Sequence, residues 1–184
     1  MEIKKVAVIG GGAAGFFAAI SVKENHPSHQ VILFEKTSKV LSKVRVSGGG
    51  RCNVTHDCSD IPTLCEAYPR GGKKLKSLFY QFSKSDTVDW FETRGIPLKT
   101  EIDGRMFPES NNSQSIIDCL ESEIARLKVT LKLGQTIEKI EQDGIGWKLN
   151  FKDQSNQKFD MVIIATGGSP KITGFDWLKN LGHN

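Results

Sequence analysis

The feature that most constrains this chain is a glycine-rich turn between a predicted strand and a predicted helix. The apolar, β-branched run Lys5–Ile9 predicts a short buried strand, and Gly10–Gly15 (GGGAAG) matches the pattern G-x-G-x-x-G. Ala13–Asn25 has helical composition, and His26-Pro27 is expected to end that helix. Val31–Phe34 predicts a second buried strand. A strand, a helix and a strand within about 30 residues predict a βαβ unit with parallel strands and a right-handed crossover.

The three glycines of the pattern have separate physical roles. Gly10 allows a sharp turn off the strand, Gly12 lets the backbone approach a pyrophosphate, and Gly15 lets the helix pack against the sheet. The helix that begins near Ala13 directs free N–H groups and its positive dipole end towards the phosphates. Glu35 follows Gly15 by 20 residues, where a carboxylate can accept hydrogen bonds from a ribose diol. This carboxylate argues against NADP but does not separate NAD from FAD.

The rest of the chain alternates helical and strand-like patterns. Residues 37–53 are polar and glycine-rich, which predicts a loop or a short helix with a loop. Apolar residues at helical spacing and a cap signal predict helices at Lys73–Phe82, Ser85–Arg94 (with Ser85 as N-cap) and Ser113–Leu127. Strand-like patterns, mostly with a period of two, predict strands at Val129–Leu133, Ile137–Glu141, Trp147–Phe151 and Met161–Ala165. The last of these is continuously apolar and is expected to be buried on both faces.

The most unusual stretch is SGGGRCNVT, at Ser47–Thr55. Its three glycines permit a backbone path close to a flat ligand, and Arg51 and Asn53 supply hydrogen-bond donors. The residues alone favour an anion-binding segment, with a merely flexible loop as the alternative. Cys52 and His56 are candidates for a nucleophile and its base. A structural thiol is the favoured interpretation, because the sequence pairs no base with Cys52.

Five segments, in this order, resemble the HI0933-like (also called BaiN-like) flavoproteins: VAVIGGGAAGFFAAI, VILFEK, SGGGRCNVT, GRMFPES and VIIATGG. The resemblance extends over essentially all 184 residues, and SGGGRCN is its most distinctive segment. Members of that family are NAD(P)/FAD-dependent oxidoreductases. The resemblance implies an α/β, Rossmann-like FAD-binding domain of glutathione-reductase type, with a parallel sheet and an antiparallel β-meander at about residues 137–165. It also moves the choice of dinucleotide from NAD to FAD.

The resemblance further implies a set of cofactor-binding residues. These are Gly10, Gly12, Ala13, Ala14, Gly15, Glu35, Lys36, Arg51, Cys52, Asn53, Ile137, Thr166 and Gly167. The glycine-rich turn and Thr166-Gly167 would lie near the pyrophosphate, and Glu35 would hold the adenosine ribose. Ile137 would lie by the adenine through its backbone, and residues 51–53 would lie near the flavin. No metal ligand is implied, and the catalytic residues stay unknown.

The sequence departs from the family in three places. His56 stands where asparagine is common, and the glycine-rich turn after Gly168 is shortened to Ser169–Gly174. The sequence stops at Asn184, where family members continue into an inserted substrate domain and a final FAD-domain segment that contacts the flavin. We therefore expect residues 1–184 to be the N-terminal part of an FAD/NAD(P)-binding domain, a truncated fold with a half-built cofactor site. Its exposed sheet edge would favour self-association. A genuinely short family member is the alternative.

Composition favours a cytoplasmic protein. No apolar run approaches the roughly 20 residues of a membrane span, and the N-terminus does not resemble a signal peptide. Four cysteines (Cys52, Cys58, Cys65 and Cys119) lack the paired spacing of a zinc site or a redox dithiol. The net charge is +4 with scattered lysines and arginines, so neither nucleic acid nor a membrane is expected as a partner.

These observations predict an FAD-dependent oxidoreductase, represented by its N-terminal portion. NAD(P)H is the candidate electron donor, and a small organic molecule is the expected substrate. A nucleotide-binding or interaction module without turnover is the alternative, and an NAD-dependent dehydrogenase is a third interpretation. Arg105 and Glu109, in the GRMFPES segment, are interpreted as fold-stabilising residues.

Overall fold

The predicted βαβ unit is present and lies at the centre of a parallel sheet. A computed structural model describes residues 2–68, 71–168, 176–179 and 181–182 of the chain. The chain divides into a first unit, residues 1–42 and 120–184, and a second unit, residues 43–119. The sequence departure at Ser169–Gly174 lies outside the described residues.

The element order agrees with the α/β class. In chain order, the helices are α1 (Ala13–Asn25), α2 (Ser42–Val46), α3 (Ile61–Glu66), α4 (Gly72–Phe79), α5 (Lys84–Glu92), α6 (Ser113–Arg126) and α7 (Asp176–Lys179). The strands are β1 (Lys5–Ile9), β2 (Gln30–Phe34), β3 (Thr55–His56), β4 (Leu98–Thr100), β5 (Arg105–Pro108), β6 (Thr130–Lys132), β7 (Ile137–Asp143), β8 (Gly146–Phe151), β9 (Asn156–Phe159) and β10 (Met161–Ile164). In the first unit, β10, β1, β2 and β6 form a parallel sheet in that order, and β7, β8 and β9 form an antiparallel meander. The predicted α/β fold with these two sheets is confirmed.

One face of the parallel sheet packs against the meander. A buried cluster joins Ala7, Ile9 and Phe34 of the parallel sheet to Ile140, Leu149, Phe151 and Phe159 of the meander. The Phe34 ring centroid lies 5.3 Å from that of Phe151 and 5.8 Å from that of Phe159. The second contact is edge-on, which suits the charge distribution of aromatic rings. Phe34 is the residue directly before Glu35, so this packing fixes the position of the Glu35 backbone, from which its carboxylate extends.

Helix α1 covers the opposite face of the parallel sheet. Phe16, Ala19 and Ile20 of the helix are fully buried. Along their strands, Val8 and Leu33 alternate with Ala7, Ile9 and Phe34, whose side chains face the meander. Val8 and Leu33 therefore point to the face that α1 covers, where they are also fully buried. Apolar residues on both faces explain why the strands read as continuous apolar runs.

The second unit contains a three-stranded antiparallel sheet that the sequence patterns did not predict. Its order is β3, β5, β4. Strand β3 has two residues and β4 has three, which is too short to show a period of two. Helix α3 was also not predicted. Its N-cap Asp60 accepts a hydrogen bond from the Thr63 N–H at 2.8 Å.

The predicted N-cap of α5 is wrong by two residues. The helix begins after Ser83, whose N–H donates to Asp86 Oδ2 at 2.7 Å. An acidic residue three positions after the cap completes a capping box, and Val88 stands at that distance from Ser85. Hydrogen bonds from the Ser83 hydroxyl and N–H also lower the pKa of Asp86.

Three further expectations differ from the structure. Helix α4 ends at Phe79, because Tyr80 closes its last turn, and the Phe82 side chain beyond it is exposed. Met161–Ile164 pairs in parallel with β1, so the meander ends at Phe159 and not near residue 165. Strand β10 is not buried on both faces, since Met161 is 51% and Ile164 36% exposed. Among the described strands, β10 and β6 are the two edge strands of the parallel sheet.

Candidate functional site

The glycine-rich turn begins at Gly10, where the chain leaves strand β1. Gly10 has φ +117°, a backbone conformation that residues other than glycine rarely adopt. Its N–H donates to the Phe34 carbonyl at 2.8 Å. A Cβ atom at Gly10 would stand 2.3 Å from the Ala165 carbonyl oxygen. The turn therefore needs glycine for its conformation and for the close approach of the segment that follows β10.

Gly15 lies inside α1 and faces the turn. A Cβ atom there would stand 1.8 Å from the Gly10 carbonyl oxygen and 3.3 Å from Leu33 Cδ1. The helix thus packs on the turn and on β2 with no room for a side chain. This is the packing role that the sequence pattern assigned to Gly15.

Gly12 differs from the other two glycines because it faces open space. It is the N-cap of α1, in an extended conformation, with no side-chain cap hydrogen bond. No described atom lies within 4 Å of where its Cβ would stand, apart from its own chain neighbours. The first hydrogen bond of the helix runs from Phe16 N–H to the Gly12 carbonyl at 3.0 Å, so the N–H groups of the first turn have no acceptor within the helix. Ala13 and Ala14, which follow, are exposed. The arrangement suits an anion.

The Glu35 carboxylate lies beside this turn and is half-buried. Its Oε2 accepts the Gly11 N–H at 2.8 Å. Its Oε1 accepts the Thr37 N–H and the Thr37 hydroxyl, each at 2.9 Å. A carboxylate has about four acceptor positions, so one remains for a ligand. Lys36, between these two residues, is exposed.

The segment before β7 is tied to the same place. Gly134 N–H donates to the Thr37 carbonyl at 3.0 Å, and Gln135 N–H donates to the Glu35 carbonyl at 2.9 Å. The side chain of Ile137 is partly buried and packs against the buried cluster between the parallel sheet and the meander. A shallow cavity of about 240 Å³ is lined here by Gly134, Gln135, Thr136, Phe151, Lys152 and Asp153.

Thr166 and Gly167 follow β10 at the carboxyl end of the sheet, and both are exposed. The Ala165 N–H donates to the Ile9 carbonyl at 2.8 Å, which brings the segment beside Gly10. Among the predicted residues, the structure therefore gathers the glycine-rich turn, Glu35, Ile137 and Thr166-Gly167 within the first unit. The turn and Thr166-Gly167 follow the carboxyl ends of parallel strands, and this end of the sheet is where α/β folds bind ligands.

Residues 47–53 lie in the second unit and form an ordered turn. Ser47–Gly50 is a 3₁₀ helix in which Gly48 and Gly49 have φ of +56° and +69°. A Cβ atom at Gly48 would stand 2.7 Å from Phe107 Cε1 and 2.8 Å from the Asn53 nitrogen. Gly48 is thus needed for the packing of this turn, and Gly49 for its left-handed backbone conformation. A merely flexible loop does not describe this packed turn.

The three predicted cofactor residues of this segment have partners in their own unit. Arg51 forms an ion pair with Glu101, and its guanidinium lies 4.0 Å from the centroid of the Phe107 ring. The Asn53 side-chain amide faces the carbonyls of Thr55 and Met106, at 2.9 and 3.1 Å. These contacts stabilise the turn and β5, a role that the sequence did not indicate.

Cys52 is buried and has φ +64°. Burial raises the pKa of its thiol, and a hydrogen bond with the Ser47 side chain opposes this only in part. A thiol with a raised pKa is a weak nucleophile at neutral pH. The His56 ring lies against Gly104, where a Cβ atom would stand 2.8 Å from His56 Nε2. Both observations favour the structural interpretation of these residues. Among the described residues, no group of three or more His, Cys, Asp or Glu side chains could hold a metal ion.

We expect Arg51→Lys to lower the free energy of unfolding by about 1–2 kcal/mol, because lysine loses both the planar stacking on Phe107 and the forked hydrogen bonding. Arg105→Lys is the matched control. Arg105 pairs with the exposed Asp103 at 2.7 Å and also reaches the partners of Arg51, but it lies 3.7 Å from Glu101 and 5.4 Å from the centroid of the Phe107 ring, farther away than Arg51. Such exposed pairs contribute less than about 1 kcal/mol, so Arg105→Lys is expected to have the smaller effect. Urea titration of cofactor-free protein measures both. Equal stability of the Arg51 variant and the wild type would contradict a structural role for Arg51.

Two residues of the site belong to no predicted set. Gly11 and Thr37 bond to the Glu35 carboxylate, yet Gly11 is a variable position of the glycine pattern and Thr37 only begins the predicted loop of residues 37–53. The sole available signal was their closeness to Gly10 and Glu35 in the sequence.

Comparisons with known proteins agree with the observed fold. The family model described as HI0933-like protein Rossmann domain matches residues 4–184. The chain is 27% identical to the 3-dehydro-bile acid delta(4,6)-reductase of Clostridium scindens, over 98% of this chain and 44% of that protein. It is 29% identical to the ribosomal RNA dihydrouridine synthase of Escherichia coli, over 91% of this chain and 40% of that protein. A flavocytochrome c3 fumarate reductase in its open conformation has a similar fold, with a TM-score of 0.65 at 22% identity, over 91% of this chain and 34% of that one. The chain spans less than half the length of these proteins.

Proposed function

Because the chain belongs to the HI0933-like family, we propose that its first unit binds the ADP portion of FAD at the carboxyl end of the parallel sheet. The observation that carries this proposal is the N-terminus of α1, which has no side-chain cap and faces open space at Gly12. Free N–H groups and the positive end of the helix dipole favour a pyrophosphate at this place.

The other residues of the proposed site have complementary roles. Glu35 accepts hydrogen bonds from the adenosine ribose, and the exposed Lys36 beside it adds positive charge. The backbone of Ile137 contacts the adenine, and Thr166-Gly167 lies by the pyrophosphate. Ala13 and Ala14 contribute their N–H groups and have side chains too small to obstruct a phosphate. Cofactor contacts of Arg51, Cys52 and Asn53 stay a prediction, because their observed contacts serve the second unit.

Electron transfer is the chemistry that FAD supplies when bound. We propose that the whole protein is an FAD-dependent oxidoreductase, with NAD(P)H as the electron donor and a small organic molecule as the substrate. One of the two curated relatives is named as a reductase of a bile acid, and the other as a synthase of dihydrouridine in ribosomal RNA. Both names describe redox reactions, and the two substrates differ in size. That difference supports a shared cofactor-binding half and a substrate choice made by other residues.

Among the helices that the structure describes, none is both long and apolar enough to cross a membrane.

A nucleotide-binding module without turnover is the second candidate. It is favoured by one observation, the engagement of Arg51 and Asn53 in the second unit's own contacts.

Titration calorimetry with FAD, ADP, NAD and adenosine separates the candidates. We expect FAD and ADP to bind and adenosine to bind at least about tenfold more weakly, since it lacks the pyrophosphate. The proposal is wrong if neither FAD nor ADP raises the melting temperature. ADP binding equal to FAD binding, with no change in flavin absorbance, favours the module.

Glu35→Gln is expected to weaken ADP binding by about tenfold, because a hydrogen bond to a charged acceptor contributes about 1.5 kcal/mol or more. The neutral amide also presents one acceptor oxygen in place of two. Calorimetry measures the affinity, and Glu121→Gln, an exposed change on α6, is the matched control. An affinity for ADP within a factor of two of the wild type would remove Glu35 from the proposed site.

A further inference from the structure

We infer that Gly11 is a positioning residue for Glu35 and thereby sets the preference of the site for a ribose with a 2′-hydroxyl. The inference rests on the proposed ADP site and adds to it a residue that the glycine pattern leaves variable. Gly11 is buried, and its N–H donates to Glu35 Oε2 at 2.8 Å. This is a charge-assisted hydrogen bond from fixed backbone, which orients the carboxylate before any ligand is present.

The space around Gly11 makes this contact depend on glycine. A Cβ atom at Gly11 would stand 2.9 Å from Glu35 Cβ, 2.9 Å from Val40 Cγ1 and 3.0 Å from Glu35 Oε2. Two of these three atoms belong to Glu35, so an alanine displaces the side chain that the Gly11 N–H now holds. Leu41 N–H donates to the Gly11 carbonyl at 2.8 Å, and this bond keeps Gly11 from moving away.

The other side of the carboxylate is held by one fixed donor and one exchangeable donor. The Thr37 N–H is backbone and stays on Oε1. The Thr37 hydroxyl has one proton but two acceptors in reach, Glu35 Oε1 at 2.9 Å and the Lys39 carbonyl at 2.8 Å. When the hydroxyl turns to Lys39, it keeps a hydrogen bond and opens a second acceptor position on the carboxylate.

This arrangement matches a ribose diol. Glu35 then offers one free position on Oε2 and one on Oε1, in an orientation set by the two backbone N–H groups of Gly11 and Thr37. The number of hydrogen bonds to protein groups does not fall during the exchange. The preference for ribose therefore depends on Gly11, and it does not depend on the Thr37 hydroxyl.

The test is the ratio of the affinities for ADP and 2′-deoxy-ADP, measured by calorimetry. We expect a ratio of about ten in the wild type, by the same hydrogen-bond argument as for Glu35→Gln. Gly11→Ala is expected to lower the ratio to below about three. Thr37→Val, which keeps the shape and loses the hydroxyl, is expected to keep the ratio within about twofold. In the Glu35→Gln background, Gly11→Ala should cause no further change in the ratio, because it acts through Glu35.

A purely structural role for Gly11 predicts a different result. Gly11→Ala would then weaken ADP and 2′-deoxy-ADP binding equally and leave their ratio at the wild-type value, which overturns the inference. A low ratio in Thr37→Val would overturn the exchangeable role of the hydroxyl. If the wild type does not bind ADP, the proposed function fails, which is distinct from ADP binding with an unchanged ratio.

A second measurement does not require the Gly11 variant to fold. In ¹H–¹⁵N spectra of the ligand-free protein, the Gly11 amide proton is expected to move upfield on Glu35→Gln, since its charged acceptor is lost. The same resonance is expected to stay in place on Thr37→Val. An unchanged Gly11 resonance in the Glu35 variant overturns the inference.

Discussion

Replacing Gly15 with alanine is expected to lower the free energy of unfolding of the first unit by about 3–5 kcal/mol, because the added methyl group has no space. Its Cβ would stand 1.8 Å from the Gly10 carbonyl oxygen. That oxygen is backbone, in a turn already held by the Gly10 N–H bond to Phe34, so it cannot rotate away as a side chain could. The helix must instead move off β2, which opens contacts of the buried Phe16 and Ile20.

Urea titration of the cofactor-free protein measures this loss, with Gly168→Ala as the matched control. A Cβ atom at Gly168 would have no described atom within 4 Å beyond its own neighbours, so its change is expected to stay within about 0.5 kcal/mol. Similar stabilities for the two variants would show that α1 is free to shift, in contradiction to the close packing of Gly15.

The parts of the fold that the sequence predicted are those determined by local chemistry. Strand β1 and helix α1 have the predicted bounds, because Gly10 ends the strand and His26-Pro27 ends the helix. The parts that it missed depend on pairing across long separations. Thr55 of β3 pairs with Met106 of β5, and β3, with two residues, is too short to show a pattern alone.

The candidate site follows the same division. The different roles of Gly10, Gly12 and Gly15 follow from their order along the chain, since a strand, a turn and a helix meet there in sequence. The partners of Arg51 could not be predicted, because Glu101 is 50 residues away and reaches Arg51 only through the pairing of the second unit's strands. The resemblance to a family implies a cofactor contact for Arg51, which stays a prediction beside the observed ion pair and ring contact.

Gly12→Ser is expected to separate stability from binding, because Gly12 is the one glycine of the pattern with open space around it. Gly12 has φ −92° and ψ −178°, an extended conformation that a serine N-cap adopts without strain. Its hydroxyl can accept an N–H of the first turn of α1, so the free energy of unfolding should stay the same or rise by a few tenths of a kcal/mol. The same side chain occupies the space that a pyrophosphate needs and takes an N–H group from it. We therefore expect the affinity for ADP to fall about 100-fold, or about 2.7 kcal/mol.

Adenosine is the matched ligand for this variant, since it shares the ribose and adenine of ADP and lacks the phosphates. Calorimetry on Gly12→Ser should give adenosine an affinity within about threefold of that for the wild type, because Glu35 and Ile137 are unchanged. If ADP and adenosine weaken by the same factor, the phosphates do not lie at the N-terminus of α1. The loss would then come from a general disturbance of the turn, which the urea titration would detect as a fall in stability. A loss confined to ADP, with stability preserved, assigns the pyrophosphate to the N–H groups that follow Gly12.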